Sequence, residues 1–385
     1  MKRCIGIAIG FILLLTAAAT FQALGTSTGA SNETKPIVVG AILPFTGAQA
    51  DIASEEKNAI EMALNDTGRK FKVIYEDSAS QNSVALAAFH KLVENENASI
   101  VITCTSWISN AISPLAAERG ILQYALATAT FNRTVRGKAV VFTVSMEEES
   151  ECLASYLRRF DRTAIIFMNN DYGRAWSAIL KTGMPGAIVS SESYELNQTS
   201  YSSQLIKIKE AKPDLLVLLS TEEGAAIACQ ARQLGINASL ASTRPIERPD
   251  VLKEPAVNGL VYSYPSYNIS HPFFARYLKT YNQQPTAFGA EAYDAIMTLA
   301  WAAQNCSSQI DCIYRWYLDR EYHGALGKIS FDGSGNAHYP VILKQIRDGK
   351  FVYFENGGNI TTNTTSTQNA NPFALAEGMQ YQKVH

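Results

Sequence analysis

Short apolar runs of four to seven residues alternate with segments of helical spacing, and this alternation constrains the fold more than any other feature. A run at Ile37–Leu43 leads to a turn at 44–48 and helical spacing over 52–64. Strand-like 71–75, helix-like 84–93 and strand-like 100–103 continue the rhythm. The stretch 105–130, TSWISNAISPLAAERGILQYALATAT, reads as loop, helix, short strand, loop, with small hydroxylated residues in both loops. After a run at 140–144 the pattern restarts: helix-like 149–160, strand 164–168, helix-like 175–181, strand-like 187–189, helix-like 203–211, strand Leu215–Leu219 and helix-like 223–234. Short runs too apolar to alternate, separated by helices, indicate parallel sheets covered on both faces. The sequence therefore predicts an α/β fold of two doubly wound parallel-sheet halves with a junction near 143–146. The last third adds helix-like 272–281, 290–303 and 312–319, then strands with turn signals at Asp332-Gly333 and Asp348-Gly349. These pieces are expected to complete the two halves, and an Asn/Thr-rich tail over 356–385 is expected to be disordered.

At 385 residues, 47% hydrophobic and 18% charged, the chain can bury a large core. A net charge of −2 gives no basic surface for nucleic acid. Lys2 and Arg3 precede an apolar run from Ile5 to Ala19, which reads as a signal peptide over residues 1–25. An uncleaved anchor is the alternative. Ten Asn-x-Ser/Thr sequons occur where chance gives roughly three, consistent with an exported, surface-located protein or with Asn-rich loops. Cys306 and Cys312 bracket a short polar loop between two helical patterns and are the expected disulfide; Cys104, Cys152 and Cys229 are expected to stay reduced. No cysteine or histidine cluster suggests a metal, and no cofactor is expected.

Several motifs stand in order: GAILPFTG near the start, Ser106-Trp107, GILQYALATAT, NNDYG at 169–173, GLVYSYP, EAYDA and GALGKISFDGSG. Together they resemble the branched-chain amino-acid-binding (leucine/isoleucine/valine-binding) proteins, substrate-binding components of ABC importers with a type I periplasmic-binding fold. The resemblance implies two lobes that close on a ligand about a three-stranded hinge, with crossovers near 143–146, 262–267 and 328–332. Lobe 1 would comprise 36–143 plus 268–327, and lobe 2 144–267 plus 328–355.

It also implies a site. Ser106 matches the position whose hydroxyl meets the ligand carboxylate; its alternative is a helix N-cap. Trp107 forms an apolar wall or is buried between helices. Ala127, Thr128, Ala129 and Thr130 match the loop whose carbonyls and hydroxyls hold the ligand ammonium, against a plain strand-to-loop run. Tyr172 matches an aromatic that folds over the ligand, or packs as a helix-start residue. Thr221 occupies another contact position, or caps a helix starting near Glu222. Phe288 closes the apolar side or joins the core. Arg244 stands near where the family places an acidic residue for the ammonium; Glu247, three residues on, could substitute. An arginine in the pocket would favour an anionic group, and a surface arginine is the alternative. The lobe-1 anchors lean the reading towards amino acids.

No HExxH, GxSxG or phosphate-binding loop is present, and the acidic run 147–151 reads as the solvated start of a helix. The expected function is a non-enzymatic, exported binding protein. It would capture a branched-chain amino acid or related small carboxylate and deliver it to an ABC importer permease. The alternatives are a ligand-sensing component of a receptor system on the same fold, or a binder of an organic acid or amide.

Overall fold

The computed structural model describes residues 36–354, save 48, 69–70, 128–137, 307–308 and 319. The expected signal segment and C-terminal tail lie outside the described residues, as do Thr128, Ala129 and Thr130.

The first third gives β1 (Ile37–Leu43), α1 (Ala50–Asp66), β2 (Phe71–Asp77), α2 (Asn82–His90), β3 (Ile100–Cys104), α3 (Ser106–Arg119), β4 (Leu122–Leu126) and β5 (Ala139–Val141). Its strands form one sheet in the order β2-β1-β3-β4-β5, with β1–β3, β3–β4 and β4–β5 parallel. Every residue of β3 and β4 is buried, as a strand covered on both faces requires.

The second series is α4 (Met146–Leu157), β6 (Thr163–Met168), α5 (Asp171–Gly183), β7 (Ile188–Tyr194), α6 (Ser202–Glu210), β8 (Leu215–Leu219), α7 (Gly224–Gln233), β9 (Ser239–Ser242) and β10 (Val261–Pro265). Then come α8 (Pro272–Tyr281), α9 (Ala287–Cys306), α10 (Ile310–Tyr317), β11 (Glu321–Gly324), β12 (Gly327–Phe331), β13 (Ala337–His338), β14 (Val341–Arg347) and β15 (Lys350–Tyr353). The second sheet has seven strands in the order β15-β14-β10-β9-β8-β6-β7, and β11-β12-β13 form a small third sheet. β8 shows why its sequence is apolar throughout. Leu215, Val217 and Leu219 join the core on one face, and Leu216 and Leu218 join the core on the other.

Local chemistry sets the elements. The first turn of α4 carries a capping box: the Ser145 hydroxyl accepts from the Glu148 N–H, and the Glu148 carboxylate accepts from the Ser145 N–H. Asn170 caps α5 by accepting from the Gly173 N–H at 3.0 Å. Gly173 is required because a Cβ there would lie 2.0 Å from the Met168 carbonyl oxygen, so only glycine lets α5 approach β6 this closely. The Asp348-Gly349 signal forms a two-residue hairpin turn between β14 and β15, with φ of +51° and +69°.

The sequence undercounts some elements. β7 runs to Tyr194 rather than stopping at 189, and β9 and β10, unassigned beforehand, take central places in the second sheet. The chain passes between the two large sheets and the elements packed on them three times: from β5 to α4, from β10 to α8, after which α9 packs on α1, and from β13, next to Asn336 that bridges Val141 of β5, to β14. Cys306 and Cys312 are disulfide-bonded, joining the end of α9 to α10, while Cys104, Cys152 and Cys229 are free. Among the described residues no helix is long and apolar enough to cross a membrane, and no histidine, cysteine and carboxylate cluster could hold a metal ion.

Candidate functional site

A cavity of about 60 Å³ lies at the carboxyl ends of the parallel strands of both sheets. Its lining follows the strand order. Gln49 and Ile52 come after β1, and Cys104, Thr105, Ser106 and Trp107 come from the end of β3 into α3. Leu126 and Ala127 end β4, and Tyr172 follows β6. Thr221 follows β8, Arg244 and Pro245 follow β9, and Phe288 begins α9. The ends of parallel strands are where such folds hold ligands, because adjacent connections diverge there and leave a crevice.

On the first sheet the chain turns sharply into α3. Thr105 holds φ +68° and ψ 144°, a strained conformation for a β-branched residue. Thr105 also occupies the N-cap position, so Ser106 is the first helical residue and not the cap; no side chain caps this helix. The first N–H groups of a 14-residue helix therefore open beside the cavity, and its dipole makes that end favourable to an anion. The Thr105 hydroxyl is buried without a hydrogen-bond partner. Trp107 is half-buried and donates from its indole N–H to the Ser80 carbonyl at 3.3 Å. That bond fixes the ring as one wall.

On the second sheet Tyr172 is both a helix-start residue and buried, its hydroxyl hydrogen-bonded to that of Thr243. The Thr221 hydroxyl donates to the Glu222 and Glu223 carboxylates at 2.7 and 2.9 Å, and α7 begins later, at Gly224. Thr221 is thus not the helix cap.

Arg244 is buried rather than on the surface, 4% exposed. Its Nη1 donates to Glu291 of α9 at 2.6 Å, its Nε lies 3.6 Å from Glu149 of α4, and its guanidinium stands 5.0 Å from the Phe288 ring centre. Burial alone would favour the neutral form, but the Glu291 and Glu149 carboxylates hold the guanidinium pKa above its usual value. Glu291 also accepts from the Tyr339 hydroxyl at 2.5 Å and the Thr143 hydroxyl at 3.1 Å. Glu149 is pushed up to about 7, chiefly by burial, with Arg244 and a hydrogen bond from Ser263 opposing the rise. The acidic run was expected to be solvated; Glu147 and Glu151 are exposed, but Glu149 turns inward beneath Arg244. Glu56 of α1 is also buried, with neither carboxyl oxygen hydrogen-bonded to another nitrogen or oxygen, and burial raises its pKa well above normal.

Glu247, the alternative acidic partner for a ligand ammonium, is committed elsewhere. It pairs with Lys344 at 2.5 and 2.7 Å and accepts from the Tyr262 hydroxyl. The cavity lining, among the described residues, holds one cation and no carboxylate.

The structure brings Ser106, Trp107, Ala127, Tyr172, Thr221, Arg244 and Phe288 around one cavity. Sequence reasoning missed Gln49, Ile52, Thr105 and the supporting Glu149 and Glu291. Gln49 lies two residues past the GAILPFTG motif and Glu291 opens EAYDA, but neither residue type singles itself out without the fold.

Comparison with known proteins places this geometry in context. The periplasmic binding protein family profile matches residues 36–312. The Leu/Ile/Val-binding protein homolog 2 of Brucella abortus is 23% identical over 83% of this chain and 93% of its own length. An extracellular ligand binding receptor from Desulfohalobium retbaense is 41% identical with a TM-score of 0.79; the match covers 83% of this chain but only 59% of that one. The branched-chain amino acid transporter substrate binding protein LivJ from Streptococcus pneumoniae, solved with isoleucine, has a TM-score of 0.75 at 20% identity, covering 82% of this chain and 98% of its own. A solute binding protein from Rhodopseudomonas palustris BisB5, solved with 3,4-dihydroxy benzoic acid, has a TM-score of 0.74 at 20% identity, over 83% of this chain and 96% of its own.

Proposed function

The chain belongs to the periplasmic binding protein family, and from that premise we propose that it captures a small carboxylate with a compact apolar body and hands it to an ABC importer. The observation that carries this reading is the pairing of Arg244 in the cavity wall with Glu247 turned away to Lys344 and Tyr262. A ligand carboxylate would meet the open N-terminus of α3, the Ser106 hydroxyl and the guanidinium donors that Glu291 leaves free. Its body would lie against Ile52, Trp107, Leu126 and Phe288. A buried ammonium, by contrast, would find no carboxylate in the described lining, and an unpaired buried cation is heavily penalised. Capture of 3,4-dihydroxy benzoic acid by a neighbour of the same fold is compatible with this ligand class.

The two-lobe division is part of the proposal. One lobe would comprise 36–143 with 268–327, the other 144–267 with 328–355. The two large sheets and the three passages between them support it. A periplasmic or cell-surface location and the permease partner follow from the family reading, as does a role without catalysis. A ligand-sensing role on the same fold would be distinguished by gene neighbours that encode signalling proteins instead of permeases.

A second reading, capture of a free branched-chain amino acid, is favoured by the largely apolar lining and by Ser106 at the start of α3. Titration calorimetry separates the two: leucine and isoleucine against 4-methyl-2-oxopentanoate and benzoate. The proposal expects the acids without an ammonium to bind and the amino acids to bind at least tenfold more weakly. Tight leucine binding that is indifferent to Arg244→Met would overturn it.

A further inference from the structure

Gln49, like the Thr105 hydroxyl, is a polar group of the cavity lining that the protein leaves without a partner, and it has the longer reach of the two. It sits in the turn between β1 and α1, is 5% exposed and lines the cavity. Its backbone carbonyl is occupied, accepting from the Ala53 N–H at 3.1 Å in the first turn of α1. Its side-chain amide is not. The Oε1 is fully buried with no hydrogen-bond partner, and the helix it precedes receives no side-chain cap from it. A buried amide left unmade costs more than its bond would return, so such groups in folded proteins have a partner. The cavity that Gln49 lines has apolar walls at Ile52, Trp107, Leu126 and Phe288, and no described residue hydrogen-bonds its Oε1.

We propose that Gln49 reads a second, neutral hydrogen-bonding group on the ligand, so that the solute is a carboxylate bearing a hydroxyl or carboxamide rather than a plain hydrocarbon acid. The inference deepens the small-carboxylate reading and rests on it. An amide presents both a donor and an acceptor, and a hydroxyl or a carboxamide is the ligand group that can answer either. A second carboxylate does not fit the Oε1 face, which accepts. An ammonium does not fit either, since a neutral amide would be its sole partner there. The apolar walls of the cavity raise the contrast. A ligand lacking the polar group must bury the amide unpaired, and sites that hydrogen-bond a ligand hydroxyl reject the analogue without it for that reason.

The test compares matched acids by calorimetry: benzoate with 3- and 4-hydroxybenzoate, and pentanoate with 5-hydroxypentanoate. Wild type, Gln49→Met and Ser106→Ala are compared, with folding checked by circular dichroism. Methionine keeps the length of the side chain and removes both polar atoms. The expected result is that a hydroxylated acid binds wild type about tenfold or more tighter than its parent, that the ratio collapses towards one in Gln49→Met, and that it survives in Ser106→Ala while both affinities fall. Equal affinity for both members of each pair in wild type, or a preference that persists in Gln49→Met, would overturn the role of Gln49 and leave the carboxylate reading standing. Absence of binding by every acid would overturn the carboxylate reading itself, and the role of Gln49 with it.

Discussion

Arg244 carries five N–H donors, and among the described residues only its Nη1 is within hydrogen-bonding distance of a carboxylate. This surplus makes it useful to a ligand, while its bond to Glu291 makes it costly to lose. Glu291 is fully buried, and removing its cationic partner leaves a charge with two hydroxyls for company. Arg244→Met should therefore weaken binding of a small carboxylate by about ten- to a hundredfold and lower stability by about 3–5 kcal/mol. Calorimetry and urea unfolding measure the two separately. A variant with unchanged affinity and a large stability loss would show the arginine to be structural alone. That Arg244 would enter the site was legible only as a conflict in the sequence, a cation where an acid was expected. Its resolution depended on Glu247, whose partner Lys344 lies 97 positions away and which no local pattern connects.

At the level of elements, the helices were legible because their apolar spacing is strong, and their ends were less so because capping is a side-chain matter. Helix α3 begins at Ser106, directly after the strained Thr105, and no hydrogen-bonding side-chain cap marks its start in the sequence. The α4 start hid a buried Glu149 within an acidic run, because one helical face can be solvated while the adjacent one is not. Helix α9 depends on a distant element. Glu55 of α1 accepts from the Thr286 N–H at 2.6 Å, from the Thr286 hydroxyl at 2.9 Å and from the Gly289 N–H at 2.8 Å, and so caps α9 from outside it. At its other end the Cys306–Cys312 disulfide closes a loop of six residues' separation. Replacing both cysteines with alanine should cost about 2–3 kcal/mol, read as a lowered Tm, because a short closed loop restricts the unfolded chain only modestly. An unchanged Tm under non-reducing conditions would reject that contribution.

For the whole molecule, acid–base behaviour and domain motion are the testable properties. Burial pushes Glu55, Glu149 and Asp294 each up to about 7. A carboxyl with a raised folded pKa binds a proton more tightly when folded, so stability is greatest below the unfolded value and falls as pH rises through the folded one. Unfolding free energy should therefore decline between roughly pH 4.5 and pH 7, by on the order of 3 kcal/mol per fully shifted group, and level off above. Glu149→Gln should flatten the decline, and urea unfolding at several pH values would show it. A rise in stability across that window would contradict the assignment. Contacts also bridge elements of the two sheets at the cleft edges. Asn110 of α3 donates to Asp171 of α5 at 3.2 Å, and Arg248 pairs with Asp51 of α1 at 3.0 Å. If ligand strengthens these contacts and draws the two sheets together, small-angle scattering at saturating ligand should show compaction, and an identical profile would count against hinge closure.

The capping of α9 by Glu55 also governs the order of assembly. Residues 50–66 are made early, but the helix that lies along them is not complete until residue 306 has been synthesised. The first sheet's outer layer must therefore wait for more than two hundred further residues, those of the second sheet's β6–β10 among them. A nascent chain cannot finish its first half before its second is largely made. Until then the buried face of α1, with Glu55 and Glu56 on it, stays uncovered.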